Sequence, residues 1–209
     1  MIQIFNEGGP IMWPLLVCSI LCVGTVLERL WFTVRERMRR QPALVEEIVG
    51  HIERRELAKA MEAGRASGDF VARTLVYALG HRGESFAGAA LHAANQELKR
   101  FNRGLAVLDT IITLAPLLGL LGTITGMIHA FGLLGGAELN APQAITGGIA
   151  QALIATAFGL GIAITALIPF NYLNSRLEEA RHDLQDAASQ VELLLGRDHS
   201  QVPQAGGAA

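Results

Sequence analysis

The chain reads as an all-α membrane protein. Three long transmembrane helices extend into a cytoplasmic helical bundle, with the N-terminus outside and the C-terminus inside. Three observations carry that reading. Residues Ile111–Leu134 and Ile149–Phe170 contain no Asp, Glu, Lys or Arg, in a chain of 209 residues of which 17% are charged. A third apolar stretch, Ile11–Leu27, opens the chain. The basic residues are confined to the segments that three spans leave on one side.

The two charge-free segments are 24 and 22 residues long. A helix rises about 1.5 Å per residue, so each is long enough for a bilayer core of about 30 Å. The overall mean hydropathy of +0.35 therefore averages two populations, apolar spans and charged soluble helix. A net charge of −2 argues against a nucleic-acid partner.

The first stretch has the wrong flanks for a signal peptide. MIQIFNEGGP carries no Lys or Arg, and the cluster Arg35, Arg37, Arg39 and Arg40 follows the apolar run. It reads as a retained span entering from outside, with residues 1–31 forming the N-terminal segment and first helix. Pro14 is tolerated in the first turn, where helix N–H groups lack partners. Cys18 and Cys22 lie in this run with no His or acidic residue at metal-ligand spacing, so they read as small packing residues.

With the N-terminus outside, all 17 Lys and Arg fall on the cytoplasmic side or, for Arg29, at its boundary. The external pieces, residues 1–10 and 135–148, hold only Glu7 and Glu138 as charges. The positive-inside rule selects this orientation.

Residues 32–108 read as a cytoplasmic helical region. Pro42 marks a break, and Leu44, Ile48 and Ile52, with Val45 and Val49, repeat at helical spacing. Gly64, Ser67, Gly68 and Asp69 mark a turn. Phe70–Leu79 is a short helix ended by Gly80–Gly83, and Glu84–Asp109 leads into the second span, residues 109–134. A short external loop, 135–148, periplasmic in a bacterial inner membrane, precedes the third span, 149–170. Residues 171–195 extend that span with a near-heptad stripe, Leu173, Leu177, Ala180, Leu184, Ala188, Val191 and Leu195, which predicts packing on a neighbouring helix. The tail, 196–209, lacks apolar periodicity and reads as disordered.

Plotted at about 100° per residue, Ala115, Gly119, Gly122, Thr123, Gly126 and Ala130 fall within about 100° of arc. Leu114, Leu117, Leu121, Ile124, Ile128 and Phe131 take the opposite side. The third span is sorted likewise. Gly148, Ala152, Ala155, Gly159, Ala163 and Ala166 oppose Leu153, Leu160, Ile164 and Ile168, and Gln151 and Thr156 flank the small stripe. Small stripes fit either close helix packing or a cavity wall with hydroxyls as its polar groups. Thr123, Thr125, Thr156 and Thr165 each have the option of bonding a carbonyl one turn back.

Asp109 reads as a helix-start residue, and His129 as a hydrogen-bonded packing residue. Gln151 donates and accepts hydrogen bonds but does not titrate. No catalytic constellation, phosphate loop, metal site or cofactor site is expected, which argues against an enzyme.

The string from Ala115 to Gly126, APLLGLLGTITG, followed by Ile149–Leu160, IAQALIATAFGL, resembles the MotA/TolQ/ExbB proton-channel family, most closely ExbB and TolQ. The resemblance implies a homo-oligomer, a pentameric ring in the bilayer, around single-span helices of a partner (ExbD for ExbB, TolR for TolQ). The partner helix carries a membrane Asp that binds and releases protons. TonB or TolA then transmits work toward the outer membrane, drawing on about 2.3 kcal/mol per charge per 100 mV. Thr123 and Thr156 match the family's threonines and would line the pore, with Gln151 beside them. The family usually has Glu where this chain has Gln151, and Pro where it has Thr165. An amide at position 151 leaves two readings open: protons handled by the partner Asp alone, or a scaffold that does not conduct.

Overall fold

The computed structural model describes Phe5, residues 8–132 and residues 141–200. Among these there is no strand. Seven helices follow in order: α1 (Met12–Arg39), α2 (Pro42–Glu53), α3 (Leu57–Arg65), α4 (Phe70–Gly80), α5 (Arg82–Asn102), α6 (Leu105–Gly132) and α7 (Ala141–Ser200). Three of them, within Met12–Arg39, Leu105–Gly132 and Thr146–Gly196, are long and apolar enough to cross a membrane. The chain divides into an apolar unit, residues 1–31 and 104–174, and a charged unit, residues 32–103 and 175–209.

Several expected boundaries move. Helix α7 begins at Ala141, so the end of the segment read as a 135–148 loop is helical. Pro142 does not oppose this, because a proline in the first turn removes an N–H that has no intrahelical partner. Residues 133–140 lie outside the described residues. At the other end α7 continues to Ser200, past Gly196, where the tail was expected to begin. Residues 201–209 are also outside the described residues.

The segment Glu84–Asp109 is not one lead-in helix. Helix α5 restarts at Ser85, whose extended backbone interrupts the helix and whose Oγ accepts from Gly88 N at 3.1 Å. It stops before Gly104, which has φ +82°. That left-handed conformation disfavours any side chain. A Cβ on Gly104 would also lie 3.1 Å from both Arg29 Cδ and Thr25 Cγ2. Arg29, 3% exposed, is bonded to the adjacent Glu28, with Nε donating to Oε2 at 2.6 Å. Helix α6 thus starts at Leu105, and Asp109 sits past its first turn on an exposed face, not at the helix start. A second unforeseen break follows Glu53, where Arg55 has φ +67°. His51 Nδ1 and Lys59 Nζ both reach the Glu56 carboxylate there, at 2.9 and 2.7 Å. The hydrogen bonds from Lys59 and then His51 hold the Glu56 carboxyl below the usual carboxylate range.

The charged unit has its own core. Ile48, Ile52, Ala60, Leu75, Leu79, Leu184 and Val191 are buried together. On α7, Leu177, Ala180, Leu184 and Val191 are buried as the near-heptad stripe requires, as is Leu173 in the apolar unit, and Leu195 is half-buried. Ala187 is buried where Ala188 was expected, and Ala188 is only half-buried. A helix of about 3.6 residues per turn drifts from a strict seven-residue repeat.

Asp69 organises this unit. It N-caps α4, its Oδ1 accepting from Val71 N at 2.8 Å and Ala72 N at 3.4 Å, while its other oxygen accepts from Gln41 N at 2.7 Å. The Arg40 guanidinium binds both Asp69 oxygens at 2.8 and 3.0 Å and reaches Asp183 at 2.5 Å, lying over the Phe70 ring. Burial works against the Arg40 charge. The hydrogen bonds and charges of Asp69 and Asp183 outweigh it and raise the pKa further above its already high value. One carboxylate therefore joins the end of α1, the α2 entry and the start of α4.

Replacing Asp69 removes a cap and leaves Arg40 short of a partner. Asp69→Ala is expected to destabilise the protein by about 2–4 kcal/mol, the sum of a cap loss and a partly exposed broken pair. Asp69→Asn keeps the cap acceptor and should cost about 1 kcal/mol. Chemical denaturation in detergent, followed by circular dichroism, distinguishes the two. Equal losses would show that the ion pair, not the cap, dominates.

Candidate functional site

The small stripes of α6 and α7 meet each other. On α6 the buried positions are Leu105, Leu108, Ile111, Ala115, Gly119, Gly122, Gly126 and Ala130. On α7, Ala152, Ala155, Ala163 and Ala166 are 7% exposed or less. The large residues Leu117, Ile124, Ile128, Leu153, Ile164 and Ile168 are each at least half exposed. Of the two readings of a small stripe, close packing is the one realised within the chain.

The approach is close enough to involve backbone. A Cβ on Gly159 would lie 2.5 Å from the Ala115 carbonyl oxygen and 3.1 Å from Gly119 Cα. One on Gly119 would lie 3.0 Å from Thr156 Cα, and one on Gly126 3.1 Å from the Gly148 carbonyl oxygen. Gly122 and Gly148 face Ala155 and Ala130, each added Cβ falling 2.5 Å from the alanine methyl. Lipid tails are as apolar as leucine, so van der Waals contact and polar bonds between helices hold such a pair together.

Thr156 supplies such a bond. Its Oγ1 donates to the Gly119 carbonyl at 3.0 Å, across the pair, with its own Ala152 carbonyl at 3.3 Å as the alternative acceptor. The close approach of the backbones at Gly119 brings its carbonyl within reach of a side chain this short. Thr123 behaves differently. Its hydroxyl donates to Leu120 O, on its own helix, at 2.7 Å. Thr125 and Thr165 likewise return to Leu121 and Gly161 at 2.9 and 2.8 Å. Thr123 is half-buried beside an open groove with Ile124, Met127, Ile128, Phe131 and Gly132.

Gln151 is half-buried and lies against the N-terminal turn at Gly9. The three residues singled out from sequence thus have three different surroundings: a bond across the pair, an open groove and a backbone turn. His129 is exposed. Cys18 and Cys22 are free and buried on the inner face of α1. Among the described residues no His, Cys, Asp and Glu side chains cluster as metal ligands. What sequence reasoning missed is Gly8–Gly9, a glycine pair whose signal was its position just before a span.

The contact distances give a paired prediction. Gly159→Ala forces the α6 backbone outward and is expected to cost about 1–3 kcal/mol, as overpacking does. Gly161 has nothing within 4 Å of its would-be Cβ, so Gly161→Ala should be neutral or gain up to about 1 kcal/mol from helix propensity. Thermal melting in detergent reads both. Equal shifts would contradict the close approach.

Comparison with known proteins identifies the family. Residues 49–186 match the model of the MotA/TolQ/ExbB proton channel family. A putative biopolymer transport protein, ExbB-like 1 of Synechocystis, is 39% identical over 91% of this chain and 77% of its own length. ExbB-like 3 of the same organism is 34% identical over 93% of this chain and 94% of its own. The Tol-Pal system protein TolQ of Haemophilus influenzae is 36% identical over 50% of this chain and 46% of its own. With a matching family model and three apolar helices, this multi-pass membrane protein belongs to the MotA/TolQ/ExbB proton channel family.

Proposed function

We propose that the chain is the ring-forming subunit of a proton-driven motor of the inner membrane, working in TonB-dependent uptake. Copies of the chain, five in the family's pattern, surround single-span helices of an ExbD- or TolR-like partner whose membrane Asp carries the proton. A TonB- or TolA-like protein passes the resulting work to the outer membrane. In this reading the N-terminus faces the periplasm, which the distribution of basic residues supports.

The observation that carries this reading is the use made of the small faces. Both are spent on pairing α6 with α7, and the segments Ile111–Leu134 and Ile149–Phe170 hold no acidic residue. One chain therefore offers hydroxyls and an amide but no titrating carboxylate in these spans. A proton path needs a carboxylate from another chain and a wall made of several copies. Thr123, on the α6 stripe beside its open groove, would face that partner, and Thr156 and Gln151 border the α7 stripe.

A TolQ-like role in envelope integrity is the alternative within the motor reading. Putative ExbB-like relatives align with more than nine-tenths of the chain, whereas ExbB of Neisseria gonorrhoeae and TolQ of Haemophilus influenzae align with about half alike. A second reading, a scaffold that keeps the ring and does not conduct, is favoured by the amide at position 151.

Proton flux into liposomes holding the chain and its partner separates these. Flux beyond that of a partner-Asp variant is expected, and its absence leaves the scaffold. Within the conducting form, Thr156→Val should lower flux about tenfold, the equivalent of one lost hydrogen bond of about 1.4 kcal/mol. The ring mass should be unchanged, and Thr156→Ser should restore flux. Full flux in the valine variant would remove Thr156 from the path.

A further inference from the structure

Position 151 is where the family pattern sets a carboxylate, yet here its side chain is taken up by the chain's own N-terminal turn. Gly9 has φ +75°, the left-handed conformation that favours glycine. A Cβ built there would overlap the Gln151 amide group, lying 2.9 Å from its Cδ and 3.4 Å from its Cγ. The neighbouring Gly8 is closed in by Met12 Cγ at 2.5 Å and Ile154 Cγ2 at 3.3 Å from its own would-be Cβ. The turn is held by Met12 N donating to Gly9 O at 3.1 Å and Trp13 N to Pro10 O at 3.3 Å. Met12 and Leu15 are 1% exposed, and Ile11 lies over Gly122 of α6.

Residues 8–12 thus touch α7 at positions 151 and 154 and α6 at 122. The fit has two halves. Gly9 is required both for its φ and for the missing side chain, and the long unbranched Gln151 fills the space that glycine leaves. The filler is neutral. A carboxylate pressed onto this turn would lose solvation, and MIQIFNEGGP offers no Lys or Arg side chain to pair with it.

We propose that Gln151 is a positioning residue that clamps the N-terminal turn of α1 onto α7, and that it has no part as an ion-carrying group. This rests on the motor reading for what the clamp serves: a wall of three helices whose N-terminal corner stays closed while the partner moves. Shape, not polarity, is what the position requires.

The test uses the full chain with its partner in membranes. Gln151→Ala should speed hydrogen exchange across residues 8–12 about tenfold, and Gln151→Met, which keeps length and volume, should leave exchange there unchanged. In liposomes the methionine variant should retain flux within about twofold and the same pH profile. Three results overturn the proposal: unchanged exchange in the alanine variant, exchange in the methionine variant as fast as in the alanine one, or flux abolished by methionine. Exchange does not depend on conduction. A protein that never conducts would sink the motor reading while this measurement still decides the clamp.

Discussion

The contact on which the apolar unit depends is backbone against backbone. At Gly159 and Ala115, and again at Gly119 and Thr156, α6 and α7 come closer than two ordinary side chains allow. Everything else about the pair follows from that distance. The large residues are turned outward, the Thr156 hydroxyl reaches a carbonyl on the opposite helix, and no space is left between the two helices for a path of their own. In a lipid environment this is an economical way to join helices. Dispersion between closely packed atoms and one bridging hydroxyl act where burial from water contributes little.

Helix sorting was legible in the sequence because it depends only on period. The stripes from Ala115 to Ala130 and from Gly148 to Ala166 emerge from any plot at the helical angle. What the stripes do was not legible, since a packed pair and a cavity wall demand the same small residues. The fate of each polar residue was also hidden. Nothing local to Thr156 or Thr123 shows that one hydroxyl crosses to Gly119, 37 positions away, while the other turns back on its own helix. Gln151 depends on a glycine pair at the far end of the chain.

The same limit governs the charged unit. The break at Gly104 carried a signal, a glycine beside a polar run, but the turn at Arg55 has neither Gly nor Pro and adopts a positive φ through its setting. Asp69 could be placed at a turn from its neighbours Ser67 and Gly68. Its pairing with Arg40 joins positions 29 residues apart, and Asp183 is farther still. Local chemistry fixes caps and breaks, and three-dimensional closure decides which distant charges share them.

The glycines of the α6–α7 seam have one more property. Glycine is the smallest residue, so every substitution at positions 119, 122, 126, 148 and 159 changes volume in one direction only. Random mutation is biased there toward collision, whereas an outward Leu or Ile can drift among residues of similar bulk with little effect. The protein's history should therefore be written unevenly around each helix. Intolerance would recur about every 3.6 positions, and the seam's orientation could be recovered from inheritance alone, without coordinates.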